Sequence, residues 1–177
     1  MMEVNKPFRN YEPLPPQLKP ADPSTILVAD AVIGILLEAL PNMWIEHIGS
    51  TAVPGLAGSG IIDLMLVCSP ELSDTVTIAL DSLGFQHPPP NDPLSSIPMV
   101  RVASFLYEGK SFLIHLFILD RHSPTVNQIR NFRDRLRLDP AFCSAYQDLK
   151  RSFFSKGNLS TAEYTRVKSE FFQKSLS

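Results

Sequence analysis

The stretch HIGSTAVPGLAGSGIIDLML, residues 47–66, decides the expected fold, because it joins a glycine-rich turn to an apolar strand that carries one acid. Side chains alternate along a strand, so Asp63 shares a face with Met65, whereas Leu64 and Leu66 share the other. A buried carboxylate is costly unless a cation or several hydrogen-bond donors meet it. Two explanations remain open. Asp63 accepts backbone N–H bonds from the nearby loop, or it forms a metal or phosphate-transfer site at a sheet edge.

The turn before this strand favours a ligand site. Gly49, Ser50 and Thr51 can place backbone N–H groups and two hydroxyls around an anion. The later glycines of the same loop permit close approach of the backbone to a ligand. A turn of this type followed by Asp63 pairs a phosphate cradle with a carboxylate that suits magnesium.

Apolar periodicity and turn residues predict the order of elements along the chain. Residues 1–23 hold six of the 16 prolines and are expected to form an extended lead-in before a single domain, 24–177. The expected helices cover about 24–40, 71–83, 123–138, 140–156 and 161–175, and the expected strands cover about 43–48, 61–68, 98–107 and 111–119. This order predicts an α+β fold: a mixed sheet of about four to five strands, flanking helices and a helical C-terminal tail.

Composition excludes several classes of protein. A net charge of −2 offers no bulk attraction to nucleic acid or to an anionic membrane. No apolar run reaches the roughly 18 residues that a membrane-spanning helix needs. Cys68 and Cys143 have no metal or redox spacing, and the first residues lack the apolar core of a signal peptide, so we expect a cytoplasmic protein with free thiols. Trp44 is expected in the core.

Four further side chains are candidates for the site of Asp63. His47 either contacts a phosphate or transfers a proton, or it bonds the loop as a structural histidine. His115 reaches the same pocket if its strand neighbours that of Asp63; otherwise it is a satisfied core histidine. Arg133 and Lys150 meet an anionic ligand if the helical tail folds over the sheet, and otherwise form ion pairs.

Two motifs together resemble the signature of the GrpB family, also called UPF0157. The first is HIGSTAVPGLA at 47–57 with IID at 61–63; the second is FRDRLR at 132–137, followed by Pro140, Tyr146, Leu149-Lys150, Tyr164 and Lys168. The resemblance covers roughly residues 25–175. It implies a nucleotidyltransferase-like fold, in which a Gly-Ser turn holds a nucleoside triphosphate and acids on the next strand bind Mg²⁺. Together with the residue patterns above, it leads us to expect Asp63 as the metal ligand and, with His115, as the catalytic pair. The expected ligand-binding residues are His47, Gly49, Ser50, Thr51, Arg133 and Lys150.

This chain departs from that pattern at three positions. Active nucleotidyltransferases usually carry two carboxylates spaced i and i+2, but here the second position is Met65, whose thioether is a poor magnesium ligand. Ser59 stands where the family often has lysine, and Phe117 stands where a second histidine is common. The sequence therefore leaves three hypotheses: a nucleotidyltransferase with an incomplete acidic site, a module that binds a nucleotide or another anion without turnover, or an interaction protein without a ligand. The identity of the nucleotide, the acceptor and the oligomeric state stay open.

Overall fold

The computed structural model describes residues 6–157 and 160–176. Its helices and strands follow the predicted order, and the α+β fold is confirmed. In chain order they are β1 Phe8–Arg9, α1 Ser24–Ala39, β2 Trp44–Ile48, β3 Ile62–Cys68, α2 Ser73–Leu83, β4 Val100–Tyr107, β5 Lys110–Asp120, α3 Pro124–Leu138, α4 Pro140–Ser155 and α5 Thr161–Ser175.

The strands form one mixed sheet in the order β1-β4-β5-β3-β2. Strands β3 and β5 run parallel, and the other neighbours are antiparallel. In this register Asp63 lies beside His115 on one side and Ile48 on the other. Because neighbouring residues in register share a face, Asp63 and His115 project to the same side of the sheet.

The two faces of the sheet are covered by different layers. Leu64 and Leu66, fully buried, pack against apolar side chains of α1 and α2 such as Val32 and Leu80. On the opposite face Met65, also fully buried, packs against α3. Burial of each such side chain stabilises the fold by about 1.5–3 kcal/mol. The predicted alternation of β3 thus separates a helix-packed core from the face that carries Asp63.

Local capping explains where the tail helices begin. Ser123 accepts a hydrogen bond from the N–H of Thr125 (3.3 Å), and a proline opens α3. Asp139 caps α4 in the same way, and Ser160 forms a capping box with Glu163 at the start of α5. Such caps satisfy N–H groups that the helix leaves unpaired. The tail is therefore helical in the three predicted pieces.

Two features differ from expectation. Phe8, 2% exposed, enters the main core, and β1 forms an edge of the sheet, so the described part of the lead-in is integrated into the folded unit. Trp44 is 63% exposed on edge strand β2, with the Arg130 guanidinium 4.8 Å from its ring centre. Its expected core position was wrong, because it lies at the first residue of a strand on the border of the sheet. Residues 1–5, 158, 159 and 177 of the predicted segments lie outside the described residues. Within the described ranges, no helix combines the length and apolar character needed to span a bilayer.

Candidate functional site

A cavity of about 590 Å³ opens on the face of the sheet that carries Asp63. The sheet forms its floor, α3 and α5 form two walls, and the proline-rich lead-in forms another. Ligand pockets commonly measure roughly 300–1,000 Å³ and combine apolar walls with a few polar groups. The polar lining includes Tyr11, Asp63, Asp92, His115, Arg133, Tyr164 and Lys168, and the aromatic lining includes Phe117, Phe132, Tyr146 and Phe172.

Asp63 and Gly49 form the centre of this site. The Asp63 side chain is 29% exposed, and its Oδ1 lies 3.3 Å from Nδ1 of His115. Gly49 passes directly over the carboxylate: a Cβ added there would overlap Oδ2 and lie 3.1 Å from Cγ. The acid therefore faces the cavity beside an imidazole, and the glycine at the start of the turn is what makes room for it.

His115 belongs to a longer hydrogen-bonded chain. Its Nε2 lies 2.9 Å from the hydroxyl of Tyr11, and that hydroxyl donates to Oδ2 of Asp92 at 3.2 Å. Burial, assisted by the neighbouring Asp92, raises the pKa of Tyr11 above its usual range, so the hydroxyl keeps its proton. Sequence reasoning missed both residues, since neither the lead-in nor the loop before β4 shows a periodic or motif signal.

The turn itself is held by His47 and Thr51. The hydroxyl of Thr51 donates to the carbonyl of Ile61 (3.1 Å) and lies 2.9 Å from Nε2 of His47. His47 pairs with Leu64 in the sheet register, so its side chain lies on the face opposite Asp63. Burial lowers the pKa of His47 to about 4, which leaves the imidazole neutral near pH 7. The structure thus places His47 as a support of the loop, outside the cavity.

Lys150 anchors the same loop from the helical tail. Its side chain is fully buried; Nζ donates to Oγ of Ser50 at 3.2 Å and to the carbonyl of Ala57, and lies 4.7 Å from the ring centre of Tyr146. Burial lowers the pKa of Lys150 to about 8. The tail does fold over the sheet, as the ligand hypothesis required, but this ammonium binds the loop rather than facing the cavity.

Arg133 reaches the cavity wall with its guanidinium engaged. Nη1 donates to Glu46 (2.9 Å) and to the carbonyl of His47 (3.2 Å), and Nε donates to Asp134 (2.8 Å). Burial alone would raise the pKa of Glu46, yet the bonds from Arg130 and Arg133 lower it overall. The arginine therefore joins α3 to β2 through three of its five N–H groups.

Lys168 on α5 is a lysine that lines the cavity, as Lys150 was expected to do. Its Nζ lies 4.3 Å from the ring centre of Tyr164. Burial lowers the pKa of Lys168, and the nearby Asp63 carboxylate partly counteracts this effect. Burial also raises the pKa of Tyr164 to about 12. The sequence placed Lys168 in the tail motif, but gave no reason to prefer it to Lys150.

The described part of β3 supplies one carboxylate, Asp63, for a magnesium ion. Mg²⁺ takes oxygen ligands in octahedral geometry, usually with one or two carboxylates. Asp63 already pairs with His115, and the next position on its face is the fully buried Met65. Across residues 6–157 and 160–176 no group of three or more histidine, cysteine, aspartate or glutamate side chains is arranged for a metal.

The order of the strands and the acidic strand beside a glycine turn give the chain a fold similar to that of nucleotidyltransferases. The Cid1 poly(U) polymerase in its MgGTP-bound crystal structure shares the fold with a TM-score of 0.51 and 16% identity, over 83% of this chain and 50% of that one. The family model for GrpB protein matches residues 15–177, and the chain belongs to the GrpB family.

Members of the family and their structures agree with this assignment. The crystal structure of the conserved protein GrpB from Enterococcus faecalis has a TM-score of 0.65 and 22% identity, over 91% of this chain and all of that one. A UPF0157 protein of Pseudomonas aeruginosa is 31% identical over 157 residues, which are 87% of this chain and 63% of that protein. One from Streptomyces coelicolor is 29% identical over 137 residues, 76% of this chain and 68% of that protein. The chain thus spans somewhat under two thirds of the length of the first relative.

Proposed function

We propose that the cavity binds a nucleotide or another phosphate-bearing small molecule. The observation that carries this proposal is the convergence of Gly49, Asp63, His115 and Lys168 on one cavity of about 590 Å³. The fold supports it as well, because Cid1, which shares this fold, has a crystal structure with MgGTP bound.

The walls of the cavity suit the two parts of such a ligand. Phe132, Tyr146 and Phe172 offer ring faces and edges on which a planar base can pack. Lys168 offers a cation for a phosphate group. Asp63, partly exposed, accepts a hydrogen bond from a ligand hydroxyl or amine, or meets a magnesium ion that arrives with the phosphates.

Binding without turnover is the form of this function that the side chains support better. Active nucleotidyltransferases usually hold metal between two carboxylates, and Met65 replaces the second one. Nucleotidyl transfer is a second candidate, favoured by one observation: the Asp63 carboxylate is partly exposed to the cavity, with the imidazole of His115 3.3 Å away. Free Cys68 and Cys143 support a reducing, cytoplasmic setting.

The test of binding is a thermal-shift and calorimetric titration with ATP, CTP, GTP and CoA, each with and without Mg²⁺. A ligand that binds the native state alone raises the melting temperature. Lys168→Met should weaken binding of the phosphate-bearing probes at least about tenfold, because a charge-assisted hydrogen bond is lost. Lys156→Met, at an exposed position after α4, is the matched control.

The role of the acid is tested separately. Asp63→Asn should abolish any difference that Mg²⁺ makes to binding, since the amide carries no charge to attract the ion. Absence of stabilisation by every probe at millimolar concentration would refute the proposal. Pyrophosphate release from a bound triphosphate in the presence of an acceptor would show that the protein turns its ligand over.

A further inference from the structure

The proline-rich lead-in is fixed at both ends and crosses the cavity between them. At one end Phe8 of β1 pairs with Phe105 of β4. At the other, the N–H of Lys19 donates to the carbonyl of Gly58 at 2.7 Å, and the N–H of Gly58 donates back at 3.0 Å. We call residues 11–17, which lie between these anchors, the N-terminal strap; all of them except Glu12 line the cavity.

Prolines stiffen this strap. Each fixes its φ angle near −65° and removes one backbone donor, so a strap with three prolines has few alternative conformations. The Ser104 hydroxyl on β4 donates to the carbonyl of Asn10 at 2.9 Å, and the Gln86 side chain donates to the carbonyl of Tyr11 at 3.4 Å. These two hydrogen bonds attach the start of the strap to the sheet and to the segment before β4. The strap is thus a preformed wall of the cavity.

Tyr11 connects this wall to the centre of the site. The Asp92 carboxylate is itself fixed, because Oδ1 accepts from the N–H of Leu94 at 2.9 Å. The Tyr11 hydroxyl donates to Oδ2 of Asp92 and contacts Nε2 of His115 at 2.9 Å, so it holds this edge of the ring. With Nε2 held in this way, the imidazole directs Nδ1 toward Asp63.

We propose that Tyr11 is a positioning residue for the ligand cavity, which fixes the His115 ring toward Asp63 and presents the strap as a wall against the ligand. The ligand part of this inference rests on the proposed function. The family model begins at residue 15, so Tyr11 lies outside the residues that it matches. The strap therefore adds a buried polar group to the site from beyond the matched segment.

The experiment compares Tyr11→Phe with Tyr107→Phe. The first removes only the hydroxyl that contacts His115. The second makes the same change on β4, where Tyr107 packs against Phe105 away from the cavity. The first measurement is the ¹⁵N resonance of His115 Nε2 in the ligand-free protein, which should shift in Tyr11→Phe and stay at its wild-type position in Tyr107→Phe.

The second measurement is the dissociation constant for ATP, CTP, GTP and CoA. We expect Tyr11→Phe to weaken binding of the best probe about tenfold, as the loss of one well-made hydrogen bond allows, and Tyr107→Phe to leave it unchanged. Asp92→Asn, which keeps the side-chain volume, should move the His115 resonance as well and serves if Tyr11→Phe folds poorly.

The outcomes separate the two proposals. An unchanged His115 resonance in both Tyr11→Phe and Asp92→Asn overturns the positioning role. A shifted resonance with unchanged affinity also overturns it, because the ring orientation would then not matter to the ligand. If wild-type protein binds none of the probes, the proposed function fails, while the resonance still decides whether Tyr11 holds His115.

Discussion

Replacement of Gly49 by alanine tests how closely the turn and the acid depend on each other. Gly49 has φ 73° and ψ −169°, a conformation that residues with a Cβ rarely adopt. A Cβ there would also overlap Oδ2 of Asp63 and lie 3.1 Å from its Cγ. The variant therefore combines backbone strain with a steric conflict at the proposed ligand site.

Both contributions have known magnitudes. Strained backbone of this type costs about 1–3 kcal/mol, and forcing extra volume into a packed region costs about 1–3 kcal/mol. Alanine recovers about 0.4–1 kcal/mol, because the unfolded chain has fewer conformations than with glycine. We expect Gly49→Ala to lower the free energy of unfolding by about 1–6 kcal/mol, since strain and crowding outweigh the entropic gain.

Urea unfolding at fixed pH measures this change, and Gly55→Ala is the matched control. Gly55 has φ 76°, but a Cβ added there meets nothing within 4 Å, so its substitution reports backbone strain without crowding. Gly49→Ala should be destabilised by at least about 1 kcal/mol more than Gly55→Ala. Equal losses in the two variants would show that the turn does not press on Asp63, and the geometry of the site would be refuted.

Two pH-dependent predictions follow from His47 and Lys150, because burial lowers the pKa of each side chain below its value in the unfolded chain. The pKa of His47 is about 4 in the folded protein and 6.5 in the unfolded chain. Between these pH values the unfolded chain therefore binds one more proton than the folded protein. Acidification from pH 6.5 to 4 should lower the free energy of unfolding by about 3 kcal/mol. His47→Gln should remove this contribution in pH-dependent urea unfolding and the exposed His122→Gln should not; equal pH profiles would contradict the burial of His47. The pKa of Lys150 is about 8, below its ordinary 10.5, so the free energy of unfolding should rise as the pH increases from 8 to 10.5. This rise should be absent in Lys150→Met and kept in Lys156→Met, and its persistence in both would show that the Lys150 ammonium is not desolvated.

Much of the fold could be predicted because its signals are local. Ser123, Asp139 and Ser160 cap helices by accepting hydrogen bonds from N–H groups two or three residues further along the chain. Both partners of each bond are therefore close in the sequence. The hairpin between β4 and β5 is equally local, with Gly109 at φ 80° between the two predicted strands. Short-range interactions of this type fix where elements begin and end.

The partners of the site residues could not be predicted in the same way. Tyr11 is 81 residues from Asp92 and 104 residues from His115, and no spacing rule connects them. From the sequence we assigned ligand binding to Lys150 and gave Lys168 no site role. Only the packing of the tail decides that Lys150 is buried against Ser50 while Lys168 lines the cavity.

The sequence by itself determined that Asp63 shares a face with Met65 behind a glycine turn, since a strand has a period of two and Gly49 tolerates a positive φ. The tertiary structure alone decided which charged groups support the loop and which face the cavity. The physical reason is that the state of a charge depends on desolvation and on partners within a few ångströms, and those partners come from elements far apart in the chain.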